Sequence, residues 1–188
     1  MKLSDKFKTL DWSRSYITYV YLRSKGLKQA AMESLNQFLS DFSHQSKLSK
    51  REFINKVNEV VKENGQYNIL LPTNLYKQFQ LDLDYWIEEE PDNPLPLIWK
   101  GDLDNLRKAL VLDPHNQTTL EIFGKKIINT VSMNQHEITS GFGYQGNAEK
   151  DLELINFFLP FIRHIKDVNL QNYFIENINE LKKTAMMH

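Results

Sequence analysis

Residues 86–116, WIEEEPDNPLPLIWKGDLDNLRKALVLDPHN, constrain the fold more than any other stretch. They hold four of the six prolines and two of the three tryptophans, so regular structure must be interrupted here. Proline lacks the backbone N–H and fixes φ, which stops a helix that reaches it from the N-terminal side. Pro91, Pro94 and Pro96 therefore predict an extended, proline-rich strap at 91–100, packed down by Leu95, Leu97, Ile98 and Trp99. On both sides of it, apolar residues recur at helical spacing.

Residues 13–23, SRSYITYVYLR, suit a helix or a strand, and the lack of a partner strand nearby decides for helix. Residues 27–42 carry the stripe Leu27, Ala30, Ala31, Leu35, Phe38, Leu39, Phe42. Ser49 and Glu52 form a capping box that predicts the next helix start, and Gly65 its end. Residues 68–72 read as an extended link. Leu75, Phe79, Leu83, Trp86 and Ile87 then line a helix capped by Thr73 or Asn74. After the strap, Asp102 caps a short helix with Leu103, Leu106 and Leu110 inward and Ala109 at a close contact. Further helices follow at 117–139, 148–166 and 170–185, with a kink or break near Phe157 ahead of Pro160. The expected fold is all-α: an array of seven or eight helices in antiparallel hairpins, forming a single domain at 1–188 with halves 1–90 and 101–188 sharing one core.

The charge pattern sharpens this. The net charge is −1, yet residues 1–62 carry 12 Lys/Arg against 6 Asp/Glu. Residues 82–104 carry eight acids against the single base Lys100. Such segregation steers a partner or is paired internally. Three acids, Glu88, Glu89 and Glu90, sit at a helix C-terminus, where the dipole opposes them. With no cysteine there is neither a disulfide framework nor a thiolate metal site. No apolar run approaches the length of a membrane span, and a cytoplasmic location is the expectation.

Gly101-Asp102-Leu103, followed by Ala109-Leu110-Val111-Leu112-Asp113-Pro114-His115-Asn116, resembles the second helix of a tetratricopeptide repeat. The segment is one helical turn shorter than the repeat. The order W-x-x-E-E-P, then N-P-x-P-x-x-W before that helix, is also similar to helical proteins of bacteria. A repeat-like fold implies a concave surface for a peptide or protein partner.

Catalytic and cofactor motifs are incomplete. Residues 141–146, GFGYQG, match G-x-G-x-x-G, but a helix precedes them where a dinucleotide site needs a strand. Glu149, Asp151 and Glu153 follow and would repel a pyrophosphate. His136-Glu137 opens an H-E-x-x-H pattern whose last position is Ser140, so no paired zinc ligand exists there. His136 is more simply a helix-terminal residue. No cofactor and no metal are expected.

Three functions remain as expectations. The leading one is a non-catalytic module that binds a basic protein partner through Asp84, Glu88, Glu89, Glu90, Asp92, Trp99, Asp102, Asp104 and Tyr144. One version is an immunity or antitoxin protein that covers a cationic toxin. The second is an enzyme with an interhelical pocket using His136 and Glu137. The third is nucleic-acid binding by the basic N-terminal third, with Lys2, Lys6, Lys8, Arg14, Arg23, Lys25 and Lys28 on phosphates and Trp12 and Tyr16 beside them. A sequence pI near 6.5 disfavours the third.

Overall fold

A computed structural model describes Phe7, residues 10–138 and residues 140–188. Among these the protein is all-α, with ten α-helices and two 3₁₀ segments. The chain divides into two compact units, Met1–Glu89 and Glu90–His188.

The first unit opens with a 3₁₀ turn, Asp11–Ser13, and holds α1 (Arg14–Ser24), α2 (Lys28–Ser43), α3 (Lys47–Asn64), α4 (Tyr67–Leu70) and α5 (Thr73–Glu89). Its core is aromatic. The Phe53 ring lies 4.8 Å from Phe38, 5.0 Å from Tyr16 and 5.1 Å from Trp12. Tyr16 is fully buried, and its hydroxyl donates to the Leu70 carbonyl at 2.6 Å, tying α4 to α1. Burial first, and the neighbouring Tyr19 second, push the Tyr16 pKa well above its ordinary value.

Two expectations in this unit are corrected. The cap of α3 is Ser46, which accepts from the Ser49 N–H at 3.2 Å. Glu52 does not close a capping box with Ser49; it pairs with Lys56 at 2.7 Å. Residues 68–72 are not extended throughout, because α4 makes one helical turn that buries Leu70, with Leu71 buried just after it.

The second unit holds α6 (Pro94–Lys100), α7 (Leu103–Leu112), α8 (Gln117–Gln135), α9 (Ala148–Phe158) and α10 (Val168–Ala185), with a 3₁₀ segment, Leu159–His164, before α10. The expected strap at 91–100 is thus a helix from Pro94 onward. Asn93 caps it by accepting from the Leu95 N–H at 3.0 Å. Pro94 and Pro96 occupy the first turn, whose amides have no intrahelical acceptor, so the missing N–H groups cost nothing there. Gly101, at φ 73°, closes α6 in the left-handed region. Helices at 67–70 and 94–100 bring the total among the described residues to ten rather than seven or eight.

The remaining boundaries follow the sequence closely. Asp102 caps α7, as expected, by accepting from the Asn105 N–H at 2.9 Å. Helix α8 ends at Gln135, four residues short of the expected 139. The long run 148–166 breaks after Phe158 into the 3₁₀ segment, with Pro160 in its first turn. The core of this unit gathers Leu106, Leu110, Phe123, Ile127, Phe158 and Phe174. Gly124 on α8 faces Phe174 on α10 so closely that an added Cβ would stand 2.6 Å from the ring.

Where the turn before α8 meets the 3₁₀ segment, the rings of His115 and His164 pack edge to face at 4.3 Å. Desolvation, then His115 and Arg163, hold the His164 pKa below its ordinary value. The folded state therefore takes up this proton less readily than the unfolded chain. Its contribution is fully present above the unfolded pKa, about 6.5, and is lost as pH falls below it. Stability is expected to drop between about pH 7.5 and 5.5, and His164→Gln to reduce that drop, as read by urea unfolding at both values.

Candidate functional site

Helix α5 is organised by its two faces. Leu75, Phe79, Leu83 and Trp86 are buried. The opposite face carries Leu81, Asp84, Tyr85 and Glu88, which fall together at i, i+3, i+4 and i+7 spacing. Leu81 is 56% and Tyr85 65% exposed, well above what their size and apolarity favour. Asp84 and Glu88 are exposed beside them.

The third acidic position behaves differently. The Glu89 carboxylate accepts from Lys47 through one oxygen and from Arg51, at 2.5 Å, through the other. The hydrogen bond from Lys47 acts first; it outweighs desolvation and, with Arg51, holds the Glu89 pKa below the usual carboxylate range. Lys50 meets Asp82 at 3.6 Å; Lys47 and Arg51 meet residue 89 while Phe53, further along α3, meets Phe79, further back on α5, at 6.0 Å, so α3 and α5 run antiparallel. The first turn of α3 is basic and the last turn of α5 is acidic. Each opposes its own helix dipole, and each supplies the other's counter-charge. That pairing offsets the cost of placing Glu89 at this end of α5.

A cleft of about 350 Å³ opens between the two helices at this point. Lys47, Lys50 and Arg51 line one side; Asp82, Tyr85, Trp86 and Glu89 line the other. The Arg51 guanidinium lies over the Trp86 ring at 5.2 Å, and the Lys50 ammonium lies 5.3 Å from the Phe42 ring centre.

The other expected binding residues belong to the second unit and are dispersed there. The Glu90 carboxylate accepts from the Asn93 side chain at 2.7 Å. Asp102 is occupied as the α7 cap, with Asp104 exposed in the first turn of that helix. Asp92 is exposed in the turn before α6, and Trp99 is half-buried. Tyr144 is half-buried, and its hydroxyl donates to the Asp151 carboxylate at 2.5 Å. Burial and that hydrogen bond push the Tyr144 pKa up to about 12. The Asn134 amide also donates to Asp151, at 2.8 Å, so the buried carboxylate anchors the loop 141–147 to α8.

The three glycines of that loop have local reasons. Gly141 and Gly143 adopt φ of 83° and 76°, a region that disfavours side chains. At Gly146 a Cβ would stand 2.4 Å from the Asn134 side chain. A helix end and turn precede the loop, so the strand that a dinucleotide fingerprint requires is absent among the described residues.

His136 is the C-terminal cap of α8, with an exposed imidazole 2.8 Å from Glu137. Among the described residues no cluster of three or more His, Asp or Glu could hold a metal ion, and no helix is long and apolar enough to cross a membrane. Of the residues expected on nucleic acid, Lys2, Lys6 and Lys8 lie outside the described residues. Tyr16 presents no ring face to solvent, and Trp12 packs among Phe38, Phe42 and Phe53. No family model, curated protein or solved structure matches the chain.

Leu81, Tyr85 and the basic turn Lys47–Lys50–Arg51 belong to no sequence motif. Leu81 and Tyr85 could have been found as large apolar residues lying off the buried stripe of α5. The basic turn could have been found as the mirror image of the acidic one.

Proposed function

We propose that the chain is a non-catalytic, cytoplasmic protein-binding module and that the exposed face of α5 takes a basic protein partner. The observation carrying this is the pairing of Leu81 and Tyr85, exposed one turn apart, with Asp84 and Glu88 beside them. An exposed tyrosine with a neighbouring aliphatic group supplies the apolar anchor of an interface. Flanking carboxylates add charge selectivity and speed the encounter with a cationic surface. An immunity or antitoxin protein directed at a cationic toxin is the version that this chemistry suits best.

The test compares capture by the unaltered chain, Asp84→Lys/Glu88→Lys and Leu81→Ala/Tyr85→Ala. Each double variant is expected to weaken binding of the partner at least about tenfold. The charge-reversed pair loses its association rate and its sensitivity to salt, whereas the apolar pair dissociates faster. Undiminished capture by both variants overturns the assignment.

A further inference from the structure

We infer that the cleft between α3 and α5 is a binding site for a small organic carboxylate with a flat apolar body. Three observations converge on that ligand class. The first is a loosely paired ammonium. The Lys50 side chain is only 19% exposed, and its nearest carboxylate, Asp82, stands at 3.6 Å, beyond direct hydrogen-bond reach. A lysine ammonium has three donors, and one held this far from water gains from an acceptor placed against it. The second is the charge balance of the walls. The lining residues carry three cations and two carboxylates, a local excess of one positive charge. The third is composition and size. Tyr85 and Trp86 provide an aromatic wall, and about 350 Å³ is within the range of small-molecule clefts.

Glu89 already demonstrates the mode of binding. Its carboxylate sits between Lys47 and Arg51 beside the aromatic wall, as an external carboxylate would. The side chain thus acts as a built-in competitor for the same cations. Occupancy of the cleft does not require a basic protein on the exposed α5 face, so the two assignments stand or fall separately. Tyr85 borders both, which makes Lys50 and Glu89 the discriminating positions.

The experiment titrates the 188-residue chain with 2-naphthoate, its neutral amide 2-naphthamide and the cation 2-naphthylmethylammonium. Binding is followed through the Trp86 indole N–H resonance, assigned with Trp86→Phe. Naphthoate is expected to shift that resonance and to bind about tenfold more tightly than the amide, the value of one charge-assisted hydrogen bond. The ammonium is expected not to compete. Lys50→Met weakens naphthoate binding about tenfold. Glu89→Gln, which removes the negative charge from between Lys47 and Arg51, tightens it. Equal binding of acid and amide, preference for the cation, or no shift with naphthoate overturns the inference. So does a Glu89→Gln variant with unchanged or weaker affinity. Because acid-over-amide selectivity is read on the unaltered chain, the test survives a Lys50 variant that folds poorly.

Discussion

Phe53→Ala is expected to lower the unfolding free energy by about 3–5 kcal/mol, the range for truncating a fully buried aromatic ring. The ring is 0% exposed. It touches Phe38, Tyr16 and Trp12 at 4.8–5.1 Å, Phe7 at 5.3 Å, Phe42 at 5.9 Å and Phe79 at 6.0 Å. These neighbours come from α1, α2, α5 and the segment before α1. A void between so many elements cannot be closed by one side chain moving, so the cavity contribution is retained. Urea unfolding with an unchanged m-value is the measurement. A loss below about 1 kcal/mol contradicts the packing described for this unit.

Gly124→Leu is expected to cost about 3 kcal/mol, the upper part of the range for overpacking a filled core. Two effects compete at this position. Glycine inside a helix is worse than alanine by about 0.5–1 kcal/mol, which favours substitution. Against that, an added Cβ stands 2.6, 2.7 and 2.9 Å from three atoms of the Phe174 ring. That ring is fully buried and packs edge to face on Phe158 at 5.8 Å, so it has little freedom to retreat. The steric effect wins, and more strongly for Leu than for Ala. Phe174→Leu placed in the Gly124→Ala background is expected to recover part of the loss, because the two sites share one volume. Additive losses in that double variant contradict the close α8–α10 approach.

The helices were legible in the chain to the extent that their signals are local. The stripe Leu75, Phe79, Leu83, Trp86 lies on one face, and the Asp102 cap and the Gly65 stop act within one turn of themselves. What was illegible depended on context. Pro94 and Pro96 break a helix approached from its N-terminal side but fit one that starts at Pro94. Only the cap at Asn93, three residues after Glu90, distinguishes the two cases. Ser46 and Ser49 are chemically the same cap candidate, and the choice fell to the one whose neighbours leave its oxygen facing a free amide. The break ahead of Pro160 was legible because a proline inside a helical run lacks the N–H that would continue it.

The site was half legible. The acids at the end of α5 stood out as a cost in local terms. Their resolution lies some 40 residues away in the chain, at Lys47 and Arg51, and long-range pairing of this kind leaves no local mark. The charge asymmetry between residues 1–62 and 82–104 is in part this internal pairing. Glu89 is exposed and also lines the wall of a cleft, and the half-buried Tyr144 donates to Asp151. Asp84 and Glu88 keep the exposure that a partner surface requires, now joined by Leu81 and Tyr85.

The most direct measurement places a photo-activatable cross-linking residue at position 81 on α5 and, in a second chain, at the exposed position 32 on α2. Cells expressing each are irradiated and the adducts identified. The account predicts a basic protein joined at position 81 and not at 32, with the adduct lost when Asp84 and Glu88 are reversed to Lys. Adducts that form equally at position 32, that contain only acidic proteins, or that persist after charge reversal contradict it.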